Sequence, residues 1–129
     1  VDFKLDKILC IDDDPDILAI VKVSLEVFGG YTLRTCSGGR DGLREAADWH
    51  PDLIITDVMM PELDGVATFK LLRENQLTAQ IPVMFMTARV ERSQQDEYRR
   101  MGAASVIQKP FDPVTLAAEV DEHWRHATV

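Results

Sequence analysis

The sequence predicts an α/β fold: a five-stranded parallel sheet of flavodoxin-like order 2-1-3-4-5 with helices on both faces. Five short apolar runs bounded by turn residues recur at residues 7–11, 31–35, 52–56, 82–86 and 104–108. Each is followed by a stretch that can be helical, and strand alternating with helix is the pattern of right-handed crossovers onto a parallel sheet. Four of the runs also end on chemically special residues: ILCI on Asp12, Asp13 and Asp14, LIIT on Asp57, VMFM on Thr87, and VIQ on Lys109 and Pro110. A parallel sheet gathers the carboxyl ends of its strands on one edge. Ligands bind there, beside the switch between strands 1 and 3, which here end on Asp12, Asp13 and Asp57.

The helices follow in order. The first opens on Asp14 as N-cap, with Pro15 at the first helical position and Asp16 in the first turn. Ile17, Leu18, Val21, Leu25 and Phe28 then fall on one stripe, and Gly29-Gly30 stops the helix. The second, residues 40–49, is weakened by Gly42 but keeps Leu43, Ala46 and Ala47 on an inward face, and His50-Pro51 ends it. The third, residues 65–74, is capped by Asp64 and turns Val66, Phe69 and Leu72 to the sheet. The fourth, residues 92–101, offers little apolar surface beyond Tyr98 and Met101, so it should be loosely packed and wet. The fifth follows Asp112-Pro113 and carries Val114, Leu116, Ala117, Val120 and Trp124 at buried spacing.

A chain of 129 residues, 46% hydrophobic, has the size of one domain, expected over residues 1–129 with no effector domain. Its formal charge of −8 disfavours direct binding to a nucleic-acid backbone, which needs clustered Lys and Arg. No apolar stretch approaches the ~20 residues of a membrane helix, and the opening VDFKLDK lacks a signal peptide's layout. The expectation is a cytoplasmic chain with no membrane contact. Cys10, inside a strand, and Cys36, at a strand end, are expected to be reduced, packed thiols.

Three carboxylates gathered within about 4 Å repel by roughly 4 kcal/mol per pair at an effective dielectric near 20, so the cluster calls for a cation. Oxygen-only ligands with no nearby His or Cys point to Mg²⁺. Asp13 and Asp57 are the expected direct ligands, with the main-chain carbonyl of Met59 as a third and Asp12 acting mainly through water. Asp14 is better explained as the helix cap. Asp57 is the expected nucleophile, because a carboxylate can attack a phosphoryl group without a base and form an acyl phosphate. Lys109 would supply a point charge for phosphoryl oxygens and Thr87 a hydroxyl donor, while the small Ala88 leaves the pocket open. Lys109-Pro110 is a candidate cis peptide.

In order and spacing, ILCIDDDPDI, DLIITDVMMPELDG, VMFMTA and VIQKPF closely resemble the four signatures of the receiver domain of two-component response regulators. The resemblance covers the whole chain. It implies a Mg²⁺-dependent switch that takes a phosphoryl group onto Asp57 from the phosphohistidine of a sensor histidine kinase or phosphotransfer protein. Asp12 and Asp13 become the acidic pair, Thr87 the switch hydroxyl and Lys109 the phosphate-contacting lysine. It further implies a downstream effector protein or domain, and a surface of the fourth helix, fifth strand and fifth helix used for output or for a homodimer. One position departs: receivers often carry Tyr or Phe three residues before the lysine, where this chain has Val106. Valine lacks the ring and the reach, so activation is expected to move the loop after Thr87 and the polar fourth helix instead. Met59 and Arg89 are expected at the mouth of the pocket, with Arg89 setting the lifetime of the acyl phosphate.

Single residues here have ordinary explanations. An Asp at a strand end commonly caps a helix or makes a turn, a lone Thr belongs to its strand, and a lone Lys is usually solvated. The set at successive strand ends carries the inference. His123 and His126 suit a helix C-terminus rather than a metal. Two other functions compete: a receiver-like binding module that needs no phosphate, and a haloacid-dehalogenase-type phosphatase, suggested by Asp12-x-Asp14. The leading reading is a switch and no enzyme beyond its own phosphorylation and dephosphorylation.

Overall fold

The computed structural model describes residues 4–88 and 91–128. Strands β1 (Lys7–Ile11), β2 (Thr32–Cys36), β3 (Leu53–Asp57), β4 (Val83–Thr87) and β5 (Ser105–Gln108) alternate with helices α1 (Pro15–Val23), α2 (Gly39–Trp49), α3 (Gly65–Glu74), α4 (Arg92–Met101) and α5 (Leu116–Thr128). Every pairing is parallel and the order is β2-β1-β3-β4-β5, as predicted. Side chains alternate between the two faces of the sheet. Ile8, Cys10, Ile55, Met84, Met86 and Ile107 meet Val21 and Leu25 from the α1 side and Leu116, Val120 and Trp124 of α5. Leu9, Ile11, Ile54, Phe85 and Val106 meet Ala46, Phe69, Leu72 and Tyr98 of α2, α3 and α4. Strands β3 and β4 are buried at every residue, which suits a parallel sheet covered on both faces. Full burial of each such Ile, Leu or Met contributes about 1.5–3 kcal/mol.

The caps stand where the sequence places them. The Asp14 carboxylate accepts from the Asp16 N–H at 2.9 Å and that of Asp64 from the Ala67 N–H at 2.8 Å. Gly102 ends α4 at a φ of 113°, a conformation that suits glycine. In α4, Tyr98 is buried and Met101 half-buried, and the rest is mostly exposed, as expected.

Two predicted core residues lie outside the core. The stripe on the first helix holds through Leu25, then Ser24–Phe28 form a π-helical turn. A wider turn rotates the following side chains off the stripe, and Phe28 is 55% exposed. Ser24 faces inward instead, its hydroxyl donating to the Pro113 carbonyl. Val114 is 61% exposed, because the residues after Asp112 make a turn and α5 begins only at Leu116. There the Asp112 carboxylate accepts from the Val114 N–H at 2.9 Å. Gly42 also serves packing, since a Cβ there would overlap the Ile11 side chain. Cys10 and Cys36 are free thiols packed in opposite layers. Burial pushes the Cys36 thiol up to about 11 and raises Cys10 further. Among the described residues no helix is long and apolar enough to cross a membrane.

Candidate functional site

Adjacent strand ends build an acidic corner. Asp12 follows β1, and its N–H continues the ladder by donating to the Cys36 carbonyl at 3.1 Å. Asp57 ends β3, and the next residue, Val58, donates to the Met86 carbonyl of β4 at 3.1 Å. One oxygen each from Asp12, Asp13 and Asp57 lies within 4.8 Å of the others. Asp12 and Asp57 are buried and Asp13 is exposed, so the group opens to solvent on one side. Asp14 stands apart, capping α1 with its carboxylate while its main-chain N–H donates to Asp12 Oδ1 at 2.9 Å. The Asp14 carboxylate is thus engaged as a cap, and the acidic group of the corner is Asp12, Asp13 and Asp57.

The loop after Asp57 turns back on itself tightly. The Gly65 N–H donates to the Val58 carbonyl at 2.9 Å, and a Cβ on Gly65 would overlap the Asp57 carbonyl. Only glycine lets α3 begin there. Glu62, in the same loop, sits at a φ of 66°.

Lys109 closes the corner from β5. Its N–H donates to the Thr87 carbonyl at 2.8 Å, and the Lys109–Pro110 peptide is cis, as the sequence suggested. Its ammonium lies 2.8 Å from Asp12 Oδ2 and 3.2 Å from Asp57 Oδ1. The sequence assigned Lys109 to phosphoryl oxygens and missed this bridge to Asp12. The signal was present, since three acids at neighbouring strand ends need a nearby cation. Thr87 ends β4 fully buried, Ala88 beyond it is exposed, and Met59, two residues after Asp57, is 63% exposed. Arg89 lies outside the described residues.

Burial raises the pKa of Asp57, and the Asp12 charge raises it further. Lys109 and the Met59 main-chain N–H beside it oppose this. For Lys109, burial disfavours the ammonium, but its hydrogen bond to Asp12 and the charges of Asp12 and Asp57 outweigh that, and its pKa is raised. With these groups ionised, three carboxylates against one ammonium leave two negative charges uncompensated. That deficit, the all-oxygen donor set and the opening at Asp13 fit a hard divalent ion such as Mg²⁺.

Residues 8–121 match the response regulator receiver domain family. The chain is 35% identical over 123 residues to the alkaline phosphatase synthesis transcriptional regulatory protein PhoP of Bacillus subtilis, covering 95% of this chain and 50% of that protein. It is 37% identical over 114 residues to the DNA-binding dual master transcriptional regulator RpaA of Synechocystis, covering 88% and 47%. The chain thus spans about half the length of these curated relatives. The chemotaxis response regulator CheY4 of Vibrio cholerae superposes with a TM-score of 0.84 at 29% identity, over 93% of this chain and 99% of that one.

Proposed function

The chain belongs to the response regulator receiver domain family, whose members are phosphorylation-dependent signalling switches, and we propose that Asp57 is its phosphoryl acceptor. The observation that carries this assignment is the ammonium of Lys109 held 3.2 Å from Asp57 Oδ1 within a group of three carboxylates at the carboxyl edge of the sheet. The donor is a phosphohistidine of a sensor histidine kinase or phosphotransfer protein. An Asp57 oxygen attacks phosphorus, the P–N bond breaks, and the imidazole leaves with the electron pair, so an acyl phosphate forms. Lys109 compensates charge on the phosphoryl oxygens and Thr87 contributes a hydroxyl donor. Asp13, Asp57 and the Met59 carbonyl would hold Mg²⁺, with Asp12 acting through water. The ion supplies charge neutralisation and orientation when bound.

The acyl phosphate alters the loop after Thr87 and the α4, β5 and α5 surface, which an effector protein or domain, or a second copy of the chain, reads. Catalysis is confined to the chain's own phosphorylation and dephosphorylation, and the switch works in the cytoplasm, beside its donor. Intact mass after incubation with Mg²⁺ and acetyl phosphate tests the assignment. Gain of one phosphoryl group, abolished by Asp57→Asn and by EDTA, is expected. Equal gain in Asp57→Asn would overturn it.

A further inference from the structure

Helix α4 buries one ring in the core. Tyr98 is the one buried residue of this mostly polar helix, at 4% exposure, with Met101 half-buried against the same cluster. Its ring stands edge-on to Phe85 of β4, with centroids 5.1 Å apart and planes at 75°. Phe85 meets Phe69 of α3 in the same manner, at 5.7 Å and 70°. Phe85 lies two residues before Thr87, so both side chains leave the strand on the face that carries α4. In the neighbouring strand Phe85 pairs with Val106, a short side chain in the same buried cluster. The ring that packs on Phe85 from this side thus comes from the helix, as Tyr98, and not from its neighbour on β5.

We infer that Tyr98 is the positioning residue that ties α4 to the Thr87 end of β4, so that a displacement of that strand end reaches the helix through the Phe85–Tyr98 contact. With one buried anchor, α4 follows its ring, and without the ring it opens at little cost to the sheet. The trigger rests on the reading of Asp57 as phosphoryl acceptor, but the anchoring does not.

Hydrogen exchange of the whole chain, read by peptide mass before and after treatment with Mg²⁺ and acetyl phosphate, tests both parts, with intact mass reporting phosphorylation separately. Tyr98→Phe keeps the ring and should match the parent: a protected α4 whose exchange changes on phosphorylation. In Tyr98→Leu, α4 amides should exchange on the order of tenfold faster before any phosphorylation, with β1, β3 and β4 unchanged. Asp57 should still be phosphorylated in that variant, with no further change in α4. The inference is overturned if Tyr98→Leu keeps the parent's phosphorylation-dependent change, if protection falls equally across sheet and helix, or if Tyr98→Phe behaves like the leucine variant. A parent chain that takes up no phosphoryl group would count against the Asp57 reading alone, and the unphosphorylated comparison would still decide the anchoring.

Discussion

The acidic corner and α4 are built in opposite ways. At the corner, Asp12, Asp57 and Lys109 come from three strand ends, are mostly buried, and are joined by ion pairs of 2.8 and 3.2 Å. Helix α4 has a single buried residue resting on a single ring. Phosphoryl transfer needs groups fixed before the donor arrives, whereas a response needs an element that moves for little free energy. In the proposed reading these needs are kept apart, with Thr87 and Lys109 at their border, linked by the 2.8 Å hydrogen bond from the Lys109 N–H to the Thr87 carbonyl.

The comparison breaks hardest at Gly65. Gly65→Ala drives a Cβ into the Asp57 carbonyl, so a loss of about 2–4 kcal/mol is expected in urea unfolding. Exchange in α4 relative to the sheet should hardly change. Mg²⁺ comes next: at about a hundred times its dissociation constant it should add roughly 2.7 kcal/mol, seen as a higher thermal midpoint. Asp13→Asn should lose most of that gain.

Without the ion, Asp57→Asn should raise stability by on the order of 1 kcal/mol, since burial and Asp12 disfavour the charged carboxylate there. The pH dependence has a definite sign. The folded pKa of Asp57 lies above its ordinary value, so the fold holds the proton more tightly than the unfolded chain does. Stability from this group is present below the ordinary carboxylate range and lost as pH rises through the raised folded value. Thermal midpoints across that range should fall less steeply in Asp57→Asn. The smallest effect is expected at Glu62, whose left-handed φ of 66° strains an L-residue. Glu62→Gly should gain about 0.5–1 kcal/mol in the same unfolding assay without altering phosphorylation.

Much of the corner was legible because apolar runs announce strands and a parallel sheet gathers their ends. Asp12, Asp13, Asp57, Thr87 and Lys109 could be placed on one edge from their positions alone. Asp14 and Asp64 were legible as caps for the same local reason, a short acid before a helical stripe. What failed depended on contacts distant in sequence. Periodicity put Phe28 inward, but Ser24 reaches the Pro113 carbonyl and the π-helical turn carries Phe28 out. The packing role of Gly42 was not legible because nothing in its own helix shows that Ile11 packs against it. The bridge from Lys109 to Asp12 joins residues at opposite ends of the chain. Val106 was noted as a missing ring, yet the ring that meets Phe85 comes from Tyr98, which no local pattern pairs with β4.

The separation of chemistry from response is tested most directly by amide NMR shifts of the chain before and after phosphorylation with acetyl phosphate and Mg²⁺. Beyond the residues that touch the phosphoryl group, the changes should concentrate in α4 and β5 and leave α1, α2 and α3 nearly still. Changes of equal size in those three helices, or an unmoved α4, would contradict the account.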